Sequence, residues 1–346
     1  MIIDCAHYRD GRRHVDGAVS VQEAAALSKE RGFTWLGLYQ PDGDELSEVQ
    51  AAFGLHELAV EDAQSVHMRP KLETYDGGVR LVVLRTARYD DAAEEVQFGQ
   101  ISVFLAPSFV IAVRRGAASG LRGARQRLEQ RPELLELGSP SALWAILDQV
   151  VDDYLPVIAG LETDIDQIEA TVFSGTVAPT ERIYSLRGEA TDFYRAVHPL
   201  LAVMNTVMRE FTAPQLQPYL RDVQDHVLQC NEEVAAQREL LASVLQANIA
   251  VLSVEQTRVS LQQNTTMERL TVLSTIFLPL TFVTGFFGQN FGWLVGHVDG
   301  FGSFAVYGIG GLVIPLTLLS LWLRRRPPET DAVGVSVTNG EKQPVR

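Results

Sequence analysis

From residue 270 to residue 323 a single formal charge, Asp299, interrupts an otherwise uncharged run, and charge returns at Arg324, Arg325 and Arg326. A water-soluble fold has little use for so much uncharged sequence in one block. Each half, 270–287 and 303–323, has roughly the 17–25 residues needed to cross a hydrocarbon core. The pattern therefore predicts two membrane spans joined by a turn over 288–302. The two halves differ in character. The first carries Ser274, Thr275, Thr281 and Thr284, a mid-helix Pro279, and Gly285 and Gly288 ahead of Asn290. In lipid, polar side chains and broken helices are tolerated where they meet protein or line a wet cavity. The second half has few polar side chains and suits contact with lipid. One span that can touch water and one that shields it predict a pore built by several copies of the chain.

Upstream, the pattern is that of a mixed α/β domain. Ser20 can cap a helix through Lys29, with Gly32 beyond its end. Residues 44–52 read as a helix ending at Gly54, and 58–63 as another short one. Residues 33–39 and 81–86 have the apolar and aromatic content of strands, and 101–105 and 109–113 form a hairpin around Ala106-Pro107-Ser108. From Ser139 the texture changes to long helices, one over 142–172 and one over 180–211 with a kink at Pro199. Beyond Pro214 and Pro218, residues 219–287 hold one Pro and no Gly before Gly285. That predicts a single helix on the order of 100 Å long at 1.5 Å per residue, entering the membrane without interruption.

The expected organisation is an α/β domain over 1–138, long cytoplasmic helices over 139–218 and a stalk helix over 219–269. A pore-lining span over 270–290, an external loop over 291–302 and a second span over 303–323 follow. Residues 324–346 are expected as a basic cytoplasmic tail, of which 327–346 is predicted to be disordered from its Pro, Gly and charge content.

A net charge of −14 argues against nucleic acid as a partner, since no basic stripe is present to neutralise phosphates. It is compatible with divalent cations, although composition alone favours acids on solvated helix faces. Cys5 and Cys230 form no Cys-x-x-Cys pair and read as ordinary thiols of a reducing compartment. The first residues show no basic region followed by an apolar run, so no secretory signal is expected. Arg269 precedes the first span, Arg324–Arg326 follow the second, and the turn has neither Lys nor Arg. Positive residues favour the cytoplasmic side, which predicts a multi-pass protein of the cell membrane with both termini cytoplasmic. No phosphate loop, Gly-x-Ser-x-Gly or His-Glu-x-x-His motif occurs, and Gly308-Ile309-Gly310-Gly311 follows no strand. No nucleophile, base and oxyanion-donor set can be named, so an enzyme is not expected and no prosthetic group is implied.

Three stretches resemble the CorA-type magnesium and cobalt transporters and together span nearly the whole chain. They are Leu55-His56-Glu57-Leu58-Ala59-Val60-Glu61-Asp62 followed by Arg69-Pro70-Lys71-Leu72-Glu73; Arg221-Asp222-Val223-Gln224-Asp225-His226; and residues 264–290, which include Phe277-Leu278-Pro279-Leu280-Thr281 and end in Gly288-Gln289-Asn290. The family's hallmark at the outer mouth is Gly-Met-Asn, and this chain has Gln289 in the middle place. Divergent branches, including the zinc-transporting ZntB-like one, also change that residue.

The resemblance implies a funnel-shaped homopentamer embedded in membrane lipid, with an α/β/α sandwich, long helices and a two-helix transmembrane hairpin whose first span lines the pore. Spacing gives separate support. Asn264, Met267, Leu270 or Thr271, Ser274, Leu278, Thr281, Gly285 and Gly288 recur every three or four residues, which is one face of a helix. A helix-packing face of small and polar residues would show the same spacing, and periodicity does not separate the two.

By the resemblance, Gly288, Gln289, Asn290, Thr281 and Asn264 form the pore and selectivity positions, and Met267, Leu270 and Leu278 an apolar gate. Rings of neutral amides can hydrogen-bond hydrated Mg²⁺ without stripping it. Glu61, Asp62, Asp148 and Asp222 match positions where relatives bind a regulatory divalent ion between subunits. The expected function is movement of Mg²⁺, with Co²⁺ and Ni²⁺ tolerated, gated by internal divalent ion. Zn²⁺ transport of the ZntB-like kind and a non-conducting membrane-anchored sensor or scaffold are the alternatives.

Overall fold

The computed structural model describes residues 2–17, 19–65, 69–175, 178–289, 291–297 and 300–325. The expectations placed on Asn290, Asp299 and residues 326–346 lie outside the described residues. The chain divides into two units, Met1–Ser253 and Val254–Arg346.

The first unit opens with a hairpin, β1 (Ile2–Arg9) and β2 (Arg12–Gly17). Asp10 and Gly11, both at positive φ, turn it, and this is the Asp-Gly signal of a two-residue hairpin loop. Sequence reading named no strand here. Helix α1 (Val21–Leu27) is capped by Ser20, whose hydroxyl accepts from the Glu23 N–H while the Glu23 carboxylate accepts from the Ser20 N–H. It ends short of the expected Lys29. Strand β3 (Phe33–Tyr39), helix α2 (Gly43–Phe53), closed by left-handed Gly54, and helix α3 (Glu57–Gln64) follow as expected. Strand β4 (Lys71–Thr74) was not anticipated. Strands β5 (Arg80–Asp90), β6 (Glu95–Ala106) and β7 (Phe109–Gly116) run longer than their apolar cores.

These strands form one mixed sheet in the order β2-β1-β3-β7-β6-β5-β4. Every neighbouring pair is antiparallel except β3 with β7. Because successive side chains point to opposite faces, each central strand feeds two cores. Trp35, Val82, Leu84, Ile101, Val103 and Val110 pack on one side. Leu36, Leu38, Leu81, Val83, Phe104 and Ile111 pack with helices α1–α3 on the other. The expected α/β/α layering is present.

The helical layer on the first face holds α4 (Leu121–Glu129), α5 (Pro132–Leu135), α6 (Ser139–Asp152), α7 (Tyr154–Phe173), α8 (Thr180–Val197), α9 (Leu200–Glu210) and the start of α10 (Gln217–Phe287). One core cluster joins these helices to the sheet. The single helix expected over 142–172 is two, broken at Asp153. Pro156 explains the break: its ring would clash with the carbonyl of Asp152, and in the first turn of a new helix its missing N–H is not needed. Pro199 likewise divides α8 from α9.

Helix α10 is unbroken for 71 residues. Its inward side chains, Leu220, Val223, Val227, Cys230, Val234 and Leu241, recur at helical spacing and are buried. Asn248, also buried, accepts from the Ala178 N–H at 3.1 Å and donates to its carbonyl at 3.4 Å. Beyond Asn248 no described residue is buried.

The second unit contains the rest of α10, a short helix α11 (Gly292–His297) and a stretch that is helical throughout 301–325. The latter comprises α12 (Phe301–Ser303), a π-helical turn (Phe304–Ile309) and α13 (Gly310–Arg325). The stretch expected as a plain loop over 291–302 therefore holds helix α11, in which the His297 ring stacks on Trp293 one turn earlier at 4.5 Å. Gly311 lies against Val283, where an added Cβ would sit 3.3 Å from a valine methyl. Gly311 thus serves close packing of apolar helices, whereas Gly308 and Gly310 meet only atoms of their own helical stretch.

Gly32 has φ +114°, and a Cβ there would sit 2.0 Å from the carbonyl oxygen of Tyr8. Gly32→Ala therefore combines a left-handed backbone with a backbone clash. We expect a loss of about 2–4 kcal/mol, read as a lower unfolding midpoint of the purified chain.

Candidate functional site

The apolar end of α10 has two faces. Val272, Ile276, Leu280 and Val283 are half-buried and share one side. Asn264, Met267, Leu270, Ser274, Leu278, Thr281, Gly285 and Gly288, the set whose spacing drew attention in the sequence, are all exposed, as are Leu273, Phe277, Phe282 and Phe286. An open groove of about 390 Å³ lies along Met267, Leu270, Thr271, Ser274, Thr275 and Leu278. Among the described residues α10 is the one helix long and apolar enough to cross a membrane, and nothing in its apolar window is buried.

Polar groups in this segment are prepared in a particular way. Thr271, Thr275, Thr281 and Thr284 each donate their hydroxyl proton to the carbonyl one turn back, at 2.8, 2.7, 2.8 and 2.9 Å. A hydroxyl whose proton is committed to the backbone presents only lone pairs outward. Pro279 has no N–H to offer the carbonyl of Thr275, which weakens the helix ladder and leaves acceptor capacity there. Such a surface accepts hydrogen bonds from water, including water held by a cation. Gln289 is exposed just past the helix end, its carbonyl accepting from the Phe291 N–H at 2.9 Å. Asn290 lies outside the described residues.

The four candidate metal ligands occupy two places in the first unit. Glu61 and Asp62 are neighbours on α3, with Glu61 exposed. Asp62 is engaged: Lys71 Nζ donates to it at 2.6 Å, and the Tyr75 hydroxyl oxygen lies 3.2 Å from it. Lys71 also reaches Glu73 at 3.1 Å, and Tyr75 donates to Glu73 at 2.7 Å. Partial burial pulls the Lys71 ammonium down, but its bonds to Asp62 and Glu73 outweigh this and hold it above the ordinary lysine value. Sequence reading missed Lys71 and Tyr75 as partners. The signal was available, since 71, 73 and 75 alternate along β4 and its end and so share one face.

Asp148 on α6 and Asp222 on α10 are close enough to interact. Burial chiefly, then Asp152, and to a lesser degree Asp222 push the Asp148 carboxyl above its usual range, against the opposing pull of Arg127. Arg127 donates to Asp148 at 3.5 Å and lies 4.0 Å from Asp152. Among the described residues no three His, Cys, Asp or Glu side chains of one chain converge as a metal cage.

The family model for the CorA-like Mg²⁺ transporter protein matches residues 30–325. The chain belongs to the CorA-like Mg²⁺ transporter family. It is 28% identical over 269 residues to the cobalt/magnesium transport protein CorA of Thermotoga maritima, covering 75% of this chain and 74% of that one. It is 24% identical over 324 residues to the zinc transport protein ZntB of Yersinia pseudotuberculosis, covering 92% and 94%. The fold matches the complete structure of the CorA magnesium transporter from Methanocaldococcus jannaschii with a TM-score of 0.60 at 17% identity, over 94% of this chain and 98% of that one. As a CorA-family member the chain is a membrane metal-ion transporter and not an enzyme.

In this CorA-family chain the raised Asp148 carboxyl sets a stability dependence with a definite sign. A folded-state value above the unfolded one means that stability falls as pH rises through the interval between them, and the whole cost is present above it. Asp148→Asn should therefore raise the thermal midpoint at neutral pH, and the gain should vanish below the ordinary carboxylate range. Thermal unfolding of parent and variant across pH checks this.

Proposed function

We propose that this chain assembles as a homopentamer whose first membrane span, 270–290, lines a pore for hydrated divalent cation, chiefly Mg²⁺ with Co²⁺ and Ni²⁺ admitted. The second span, 303–323, would face lipid, close a hairpin and return the C-terminus to the cytoplasm. The observation that carries this is the uncovered face of α10, where positions at helical spacing are exposed and polar groups alternate with apolar ones. In a fivefold ring, Met267, Leu270 and Leu278 make an apolar constriction able to exclude water and ion together. Asn264 and Thr281 make acceptor rings on either side of it. Asn290, with Gly288 and Gln289, forms the mouth. Mg²⁺ releases its water reluctantly, and acceptors that bind the hydration shell can pass the ion without stripping it.

Internal Mg²⁺ closes the pore by bridging Asp62 of one subunit and Asp222 of the next, with Glu61 and Asp148 adding negative charge. Carboxylates gathered across an interface repel unless a cation bridges them. Lys71, bound to Asp62 at 2.6 Å, is then an internal competitor for the ion. Zn²⁺ transport is the second reading, favoured by the ZntB relative and by Gln289 in the mouth; zinc flux that follows a pH gradient would distinguish it.

Flux into proteoliposomes tests the pathway. Asn290→Ala and Thr281→Val should each slow Mg²⁺ entry roughly tenfold, about 1.4 kcal/mol of barrier, and parental rates in both would remove the pore assignment. Regulation is tested separately by the Mg²⁺ concentration that halves flux. Asp222→Ala should raise it and Lys71→Gln should lower it; two unchanged values would refute closure through Asp62 and Asp222.

A further inference from the structure

A cavity of about 450 Å³, lined by none of Asp62, Asp148 and Asp222, opens in the first unit beside the central strands, within the roughly 300–1,000 Å³ of small-ligand sites. Four arginines line it, Arg13 and Arg114 from strands β2 and β7, and Arg122 and Arg125 from α4, together with two acids, Asp4 and Glu129. The acids are spent on two of the arginines. Arg13 donates to Asp4 at 3.3 Å and to Glu129 at 3.2 Å, Arg125 also donates to Asp4, and Glu129 accepts from the Tyr8 hydroxyl at 2.7 Å. Arg114 and Arg122 have no carboxylate partner among the described residues.

Arg114 is the more telling of the two. It is half-buried, donates once, to the Ser119 carbonyl at 3.3 Å, and lies over the Tyr39 ring at 5.5 Å. A guanidinium has five N–H donors, so most of its donor capacity is unused. Burial chiefly disfavours its protonated form, Tyr39 opposes this, and the nearby charge of Arg125 adds a smaller push in the same direction as burial. A cation kept part-buried without a counter-ion is costly unless an anion arrives. One further feature points the same way. Gly120 and Leu121, in the cavity wall, begin α4, whose N-terminus has no side-chain cap and no acid in its first turn, so its partial positive charge is unanswered.

We propose that this cavity binds a phosphate-bearing small anion, with Arg114 and Arg122 and the start of α4 holding its phosphate oxygens. Arginine pairs with phosphate through paired N–H donors, and the site is cationic within a chain whose net charge is −14. The binding is independent of the transport reading and is measured without flux.

Calorimetric titration of the purified full-length chain, free of divalent ions, with ATP, pyrophosphate and orthophosphate tests it. Saturable binding is expected, weakening with added salt and by about tenfold in Arg114→Gln and in Arg122→Gln. Arg122 is exposed, so its substitution spares the core and remains decisive if Arg114→Gln fails to fold. Equal binding of ATP and pyrophosphate supports recognition of a phosphate chain. Preference for ATP supports recognition of the nucleoside as well as the phosphates, and equal binding of orthophosphate supports a single-phosphate site. No saturable binding of any of the three, or binding that Arg122→Gln leaves unchanged, overturns the proposal.

Discussion

A helix in hydrocarbon must satisfy its own backbone and its own polar side chains. The end of α10 meets both demands with one device. Threonine hydroxyls fold back onto carbonyls of the preceding turn, so their protons are hidden and their lone pairs face outward. The same helix leaves its apolar window uncovered by the rest of the chain, a state that water does not tolerate and that lipid and neighbouring copies relieve. A surface of this kind suits the membrane metal-ion transporter family to which the chain belongs.

The first unit is organised by the opposite requirement, complete burial. A sheet that alternates its side chains between two cores must be covered on both faces, and the helices on each side do this. Helix α10 enters that core through Leu220, Val223 and Val227 and is tied to the loop before α8 by Asn248. Acidic residues then collect where burial is incomplete. Asp148 is held above its usual range chiefly by burial and is partly answered by Arg127, whereas Asp62 is bound by Lys71. Two acids that look alike along the chain thus differ in their surroundings.

Much of this was legible residue by residue. The strand at 33–39 and the turn at Pro107-Ser108 were readable because apolar alternation and turn residues act over a few positions. The break at Asp153 was also legible in principle, since Pro156 forbids a continuous helix, but the long apolar pattern around it masks the signal. Short strand β4, with little apolar content, earns its place from pairing with β5, which no local pattern announces. At the candidate site, the spacing of Asn264, Met267, Ser274, Leu278 and Thr281 marked a face, while the Lys71–Asp62 bond needed a strand and a helix to be brought together.

What the amino-acid order determined by itself is therefore periodic and local: an uncharged block of membrane length, a long helix whose one interior proline is Pro279, and one recurring face along it. Those features follow from hydrophobicity and backbone sterics within a few turns, so they survive without knowledge of neighbours. Only the tertiary structure decided which charges are neutralised, which arginines of the cavity stand unpaired, and which side of α10 is left open. Each of these depends on groups far apart in the chain meeting at a few ångströms, and pairing energy at that range is a property of the fold.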